Sequence, residues 1–168
     1  DLVLLDKKIR VSAIIDASDI KAKEKEILQL AQYDSLTKLP NRLLLKELLS
    51  AMIKRINRDK AFGALLFIDL DHFKLINDTK GHDIGDIVLI ETAKRIKNCI
   101  RQIDIASRLG GDEFVVAVEI EEHNEDKVID SMTIVANKIL EEIKKPYLIH
   151  NFDFRLTASI GIMLFKDS

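Results

Sequence analysis

Arg108-Leu-Gly-Gly-Asp-Glu-Phe114 lies between two apolar stretches, and this segment decides the fold prediction. Two glycines ahead of two acids predict a tight β-hairpin with carboxylates at its tip. Glycine supplies the positive φ that such a turn demands and lets a bulky ligand approach the backbone closely. Adjacent acids at a sharp turn repel each other, so the pattern indicates a cation site or a proton-transfer task. On these residues alone, an ordinary solvated Gly-Asp turn remains the alternative.

A second pair of acids stands at the end of the near-continuous apolar run 62–70. Such a run is typical of a strand buried on both faces. Asp69 and Asp71 have the same parity, so they point to the same face. If this strand lies beside the hairpin, Asp69 and Asp112 can share hard divalent cations, as in two-metal phosphoryl and nucleotidyl transfer. Either Asp69 or Asp71 alone could instead cap the helix that follows.

Four further motifs accompany the hairpin segment along the chain. They are Asp34-Ser-Leu-Thr-Lys-Leu-Pro-Asn-Arg42, Phe67-Ile-Asp-Leu-Asp-His-Phe-Lys74, Asn77-Asp-Thr-Lys-Gly-His-Asp-Ile-Gly-Asp86 and Thr157-Ala-Ser-Ile-Gly161. In this order they resemble the GGDEF domain family, the diguanylate cyclases. Members of that family join two GTP molecules into cyclic di-GMP and release pyrophosphate.

The periodicity of the chain predicts alternating helices and strands. Helices are predicted over 42–56, 84–100 and 125–143, a strand over 61–70, a hairpin over 103–118, and a second hairpin from 147–150 to 154–165. Strands covered by helices give an α+β fold, an α/β sandwich. The resemblance implies a central mixed or antiparallel sheet flanked by helices, of the nucleotide-cyclase and polymerase-palm type.

The resemblance also implies a catalytic metal centre. Asp69 and Asp112 would bind Mg²⁺ or Mn²⁺, with the Leu70 carbonyl as a backbone ligand. Glu113 would either help to hold the metal or activate the 3′-hydroxyl, and a general base must reach the proton that it removes. Asp71 is placed further from the metal.

For GTP binding, the resemblance implies a guanine-reading pair and a phosphate-binding segment. Asn77 and Asp86 match the pair, since a carboxylate accepts both N1–H and N2–H₂ of guanine and adenine offers no such donors. Backbone N–H groups at Phe73 and Lys74 can face phosphate oxygens. The remaining implied contacts are at the turn glycines, Gly110 and Gly111.

A product-inhibition site is implied at Arg101-Gln-Ile-Asp104, which matches the family's Arg-x-x-Asp motif. Arginine can stack on guanine and fork onto phosphate, which suits dinucleotide binding. Arg108 is assigned to the same allosteric site. The alternative is a local salt bridge between Arg101 and Asp104 at a helix end.

The segments ahead of this domain are predicted to be a sensor remnant and a linker. Residues 1–17 show an alternating pattern typical of a hairpin, and 14–20 resemble the exit of a PAS domain. A charged, heptad-like helix is predicted over 18–33, either pairing with a second copy or packing on its own domain. The resemblance implies a GGDEF domain over 34–168, which is expected to end before the family's last helix and hairpin.

The charge and composition of the chain indicate which partners and which location to expect. The formal net charge of −2 over 168 residues gives no footprint for DNA or RNA. The single Cys99 rules out an internal disulfide and fits a reducing compartment, so a cytoplasmic location is expected. No apolar stretch approaches the ~20 residues of a membrane span, so no membrane contact is expected of this segment, while a membrane anchor elsewhere in the parent stays open.

The resemblance therefore implies a Mg²⁺-dependent diguanylate cyclase that acts as a homodimer and is inhibited by cyclic di-GMP. Two other classes of function remain open. One is a non-catalytic module that binds GTP or cyclic di-GMP and regulates an attached domain. The other is an interaction scaffold without any affinity for nucleotide.

Overall fold

The computed structural model describes most of the chain after the first thirty residues. The described residues are 2–4, 7–9, 28, 30–149 and 152–166. The chain divides into two compact units, Asp1–Ala31 and Gln32–Ser168. In the first unit, β1 (Leu2–Leu4) pairs antiparallel with β2 (Lys7–Ile9), which agrees with the start of the predicted hairpin. The PAS-like stretch and most of the predicted linker helix lie outside the described residues.

The second unit is built on a four-stranded antiparallel sheet. Its elements in chain order are α1 (Arg42–Asp59), β3 (Phe62–Leu70), α2 (Phe73–Lys80), α3 (His82–Cys99), β4 (Ile105–Gly110), β5 (Glu113–Ile120), α4 (Glu125–Lys144), β6 (Tyr147–Ile149), β7 (Phe152–Phe154) and β8 (Ala158–Phe165). The strand order is β4-β5-β3-β8, and every neighbouring pair is antiparallel. The predicted α+β class and its helix-flanked sheet are confirmed.

The two faces of the sheet carry different helices because side chains alternate along β3. Even-numbered residues of the strand, such as Leu66 and Ile68, are buried in the main core, which the inner faces of α3 and α4 complete. Odd-numbered Leu65 packs into a second core with Met52 and Ile56 of α1. Burial on both faces explains the near-continuous apolar run in this strand.

Local capping signals place the ends of the helices. The Asn41 side chain accepts hydrogen bonds from the backbone N–H groups of Leu43 and Leu44, so α1 begins after it. Asn124 caps α4 in the same way, through the N–H of Lys127. No described helix has the length and apolar character needed to cross a membrane.

Two local predictions were wrong. Gly81 and Gly85 predict a loop that bends between them, and no helix is predicted directly after Asp71. In the structure, α2 and α3 run on either side of Gly81, and Gly85 lies within α3. The strand expected over 154–165 is split, because β7 pairs with β6 in a separate hairpin whereas β8 joins the central sheet beside β3. Alternating apolar residues indicate a strand but do not specify its partner.

Candidate active site

The predicted acids meet at one end of the central sheet. Asp69 near the end of β3 is in register with Glu113, the first residue of β5, and on its other side with Ser159 of β8. Residues directly opposite each other in antiparallel strands point to the same face. Asp112 lies in the turn that leads into β5. The structure therefore brings Asp69, Asp112 and Glu113 together, as the sequence predicted.

The negative charges of these neighbouring acids repel each other. Partial burial raises the pKa of Asp69 above its usual value, and the neighbouring charges of Asp112, Glu113 and Asp71 raise that pKa further. A divalent cation would relieve this repulsion and is the hard acceptor that such oxygen donors suit. Within the described ranges, no three His, Cys, Asp or Glu side chains enclose a metal site by themselves. Carboxylate oxygens are hard donors of the kind that Mg²⁺ takes one or two at a time, with water and substrate phosphates completing its shell, so these acids are chemically compatible with that ion.

Asp71 has a separate partner set that sequence reasoning missed. Its carboxylate accepts hydrogen bonds from Thr157 Oγ1 at 2.6 Å and from Ser159 Oγ at 2.9 Å. These bonds hold the pKa of Asp71 below its usual value. The signal was present in the sequence, because Thr157 and Ser159 have the same parity within one motif. Asp71 therefore ties the start of β8 to the end of β3.

The glycines of the turn leave open space beside the acids. Gly110 and Gly111 have φ of +145° and +54°, values that side-chain-bearing residues rarely adopt. A Cβ placed on either one would meet no atom of the described residues within 4 Å. The Leu70 side chain is buried and carries no ligand atom, so the predicted backbone ligand at this position is its main-chain carbonyl. The geometry admits a bulky ligand up to the backbone of this turn.

Helix α2 begins next to the acids with unsatisfied backbone donors. His72, in the left-handed region at φ +58°, turns the chain, and no side chain caps the helix. Phe73 is buried in the core and Lys74 is exposed. Because the first N–H groups of a helix have no intrahelical partner, the main chain at Phe73 and Lys74 can receive phosphate oxygens. This placement agrees with the prediction, while their binding role stays a prediction.

Helix α2 packs on α3 through Asn77 and Gly85. A Cβ on Gly85 would lie 1.9 Å from Oδ1 of Asn77, so any larger residue there would displace the Asn77 side chain from this position. Asp86 follows Gly85 and is exposed. Asn77 therefore contacts α3 at the residue that precedes Asp86, and the pairing of Asn77 and Asp86 on guanine stays a prediction.

Arg101 and Asp104 line a cavity of about 740 Å³ together with Lys38 and Lys97. The backbone N–H of Arg101 donates to Oδ2 of Asp104 at 2.8 Å, which is a local turn contact and not a guanidinium fork. Oδ1 of Asp104 is buried and has no hydrogen-bond partner among the described residues. Burial raises the pKa of this carboxyl, and the bond from Arg101 only partly offsets that rise.

Arg108 contacts a different part of the molecule. Its guanidinium donates to both carboxylate oxygens of Asp34 at 3.0 Å and to the carbonyl of Gly111, and it does not line the cavity that Arg101 and Asp104 share. Its assignment to the inhibitory site stays a prediction. The structure gives Arg108 a contact with Asp34 that sequence reasoning did not foresee, since the two residues lie 74 positions apart.

Comparison with known proteins agrees with this arrangement. Residues 31–168 match the family described as "Diguanylate cyclase, GGDEF domain". The chain belongs to the GGDEF domain family. It is 42% identical over 162 residues to the bifunctional diguanylate cyclase/cyclic di-GMP phosphodiesterase MucR of Pseudomonas aeruginosa, a match covering 96% of this chain and 23% of MucR. This GGDEF chain spans about a fifth of the length of the first curated relatives that it matches, at 23%, 19% and 20%.

Solved GGDEF structures share the fold. A sensory box/GGDEF family protein from Caulobacter crescentus matches with a TM-score of 0.73 and 34% identity, covering 80% of this chain and 83% of that one. The GGDEF domain of DgcB from Caulobacter crescentus, crystallised in complex with c-di-GMP, matches with a TM-score of 0.72 and 28% identity, covering 81% of this chain and 78% of that one.

The pKa of Asp34 yields a prediction about stability. Burial alone would raise that pKa, but hydrogen bonds from Thr37 and Arg108 outweigh burial and hold it below the usual value. A carboxyl with a depressed pKa stabilises the fold above its unfolded pKa of ~3.9, and this contribution is lost as pH falls through the folded pKa. Asp34→Asn should therefore lower the free energy of unfolding by roughly 1 to 3 kcal/mol at neutral pH, and by less below about pH 4.

Urea unfolding of both proteins between pH 7 and pH 3 measures this difference. Asp59→Asn is the matched control, because Asp59 pairs with Arg58 on an exposed surface of α1. A stability gap for Asp34→Asn that is constant with pH would contradict the prediction.

Proposed function

We propose that this GGDEF domain is an active diguanylate cyclase that joins two GTP molecules into cyclic di-GMP and releases two pyrophosphates. One observation carries the proposal: Asp69, Asp112 and Glu113 gather at one end of the sheet beside an open glycine turn. A domain that only bound nucleotide would have no need of three mutually repelling carboxylates at that point. The relative MucR is named as a cyclase as well as a phosphodiesterase.

In this proposal, Asp69 and Asp112 hold Mg²⁺ or Mn²⁺ together with the Leu70 carbonyl and Glu113. The bound cation would lower the pKa of the 3′-hydroxyl and neutralise charge on the phosphates. Glu113, directly across the sheet from Asp69, lies where a carboxylate could either share the cation or take the hydroxyl proton.

The remaining residues orient the substrate. The N–H groups at the start of α2 and the ammonium of Lys74 would face the triphosphate, while Asn77 and Asp86 would hold the guanine edge. The 3′-oxygen of one nucleotide then attacks the α-phosphorus of the other, and the bond to pyrophosphate breaks. Because each domain offers one such site, two copies facing each other are needed to close the cyclic product, and we propose a homodimer as the working state.

Replacing the acids tests catalysis. Asp69→Asn and Glu113→Gln keep the side-chain volume and remove the charge, so product formation should fall by roughly 10²-fold or more with the fold unchanged. Cyclic di-GMP formed from GTP and Mg²⁺ by the full-length protein is quantified by mass spectrometry. Asp130→Asn and Glu121→Gln, both at exposed positions, are matched controls. Activity within a few-fold of wild type in either site variant would remove the proposed metal centre, and GTP binding without turnover in the wild type would favour a regulatory module.

Replacing Asp86 tests base selection. The native protein should bind GTP at least ~10²-fold more tightly than ATP, because adenine leaves the carboxylate without its two donors. Asp86→Ala should remove most of this preference, whereas Asp83→Ala, another exposed acid in the first turns of α3, should leave it intact. Calorimetric titration with non-hydrolysable GTP and ATP analogues measures both affinities. Equal affinity of the native protein for the two analogues would sink the assignment.

Feedback by the product is proposed at the cavity lined by Arg101 and Asp104. Asp104 lines this cavity with a carboxylate that can accept an N–H donor such as guanine provides, and the exposed Arg101 can fork onto a phosphate. DgcB is a related GGDEF domain that was crystallised in complex with c-di-GMP. Neither Arg101 nor Asp104 belongs to the acidic cluster, so inhibition would not compete with GTP.

Arg101→Ala should raise the cyclic di-GMP concentration for half-inhibition by roughly tenfold, as expected for about 1.4 kcal/mol from one charged contact. Initial rates at several product concentrations give this value. Arg58→Ala, an exposed arginine of α1, serves as the control. A variant as sensitive to product as the wild type would show that Arg101 has a structural role only.

A further inference from the structure

The guanidinium of Arg108 joins two distant parts of the domain. Nε and Nη2 both donate to the Gly111 carbonyl, at 2.9 and 2.7 Å, and Nη1 donates to both carboxylate oxygens of Asp34 at 3.0 Å. Only 10% of the Arg108 side chain and 18% of the Asp34 side chain are exposed. A shielded, forked arginine contact fixes orientation more firmly than an exposed ion pair does.

The carbonyl that Arg108 holds belongs to the peptide unit that begins Asp112. Because a peptide group is planar, fixing the C=O of Gly111 also fixes the N–H and the Cα position of Asp112. Gly110 and Gly111 have no side chains to restrain this backbone, and the register between β4 and β5 shifts between Arg108 and Gly110. The two hydrogen bonds from Arg108 therefore supply a restraint that the glycines lack.

Asp34 is itself held in place. Its carboxylate accepts hydrogen bonds from the Thr37 N–H at 2.7 Å and from Thr37 Oγ1 at 2.6 Å, and these bonds help to orient it towards Arg108. The turn that contains Asp34 and Thr37 also contacts β4. Its Pro40 carbonyl accepts hydrogen bonds from the Arg108 N–H at 3.0 Å and from the Ser107 hydroxyl at 2.6 Å.

We propose that Asp34 and Arg108 are positioning residues for the turn Gly110–Asp112: the pair sets the Gly111–Asp112 peptide plane and thereby aligns Asp112 with Asp69 and Glu113, which the strands already place opposite each other. The inference rests on the proposed cyclase function and adds to it a dependence on the turn that precedes α1. Neither residue touches substrate in this scheme. Their loss should therefore lower kcat and leave guanine binding at Asn77 and Asp86 unchanged.

Two single variants and their combination test the proposal in the full-length protein. Arg108→Lys keeps the charge but cannot fork onto two partners, and Asp34→Asn keeps the shape but loses the charge. Each should lower kcat by roughly tenfold or more, as a small misplacement of catalytic groups does, with KM for GTP within about twofold of wild type. Because both act through one contact, the double variant should lose no more than the worse single variant. Asp59→Asn, which removes an exposed aspartate–arginine pair, should change neither constant.

Backbone amide exchange gives a readout that does not need turnover. In both single variants, exchange in the segment 110–113 should quicken relative to wild type, while exchange in α3 should stay unchanged. Wild-type kcat in the variants, unchanged exchange in this segment, or losses that add in the double variant would each overturn the proposal. If the wild type makes no cyclic di-GMP, the proposed function fails, and the exchange result alone then upholds or overturns the control of the turn by Asp34 and Arg108.

Discussion

The pairing register of β3 is the constraint on which the rest of the domain depends. Its even-numbered residues fill the core beneath α3 and α4, and on the opposite face, which also carries Asp69, Leu65 packs beneath α1. A slip of one residue against β5 would turn every apolar side chain to the wrong face and send Asp69 into the core. The hydrophobic burial that fixes this register therefore also determines which carboxylates lie opposite each other at the end of the strand.

The end of the sheet that carries the acids combines rigid backbone in the strands with unrestrained backbone in the glycine turn. Asp69 belongs to β3 and Glu113 to β5, and each of these strands pairs with a neighbour on both sides. The positions of the two acids therefore follow from sheet geometry. The glycine turn between β4 and β5 has no such ladder, and close approach of a ligand requires that it stay uncrowded. Polar contacts from behind the turn can order it without filling the space in front. The polar contacts behind the turn therefore fix its shape, while its glycines leave room for a ligand.

Much of this arrangement was readable in the sequence because it depends on local periodicity. The apolar run ending in Asp69 and the glycines before Asp112 each predict a local structure, and the structure confirms both the strand and the hairpin. Helix α2 was missed because it is short, has no side-chain cap and starts after His72 in a left-handed conformation. The fork of Arg108 onto Asp34 was missed for another reason, since a contact across 74 residues depends on the assembled sheet and leaves no local pattern.

The buried Oδ1 of Asp104 has a thermodynamic consequence for the turn that carries it. An acceptor that is buried without a donor among the described residues costs roughly 1 to 3 kcal/mol of desolvation. Oδ2 of the same carboxylate gains a hydrogen bond from the Arg101 N–H. The two oxygens of one side chain therefore act on stability in opposite directions, and Asp104 contributes less to its turn than its one hydrogen bond does.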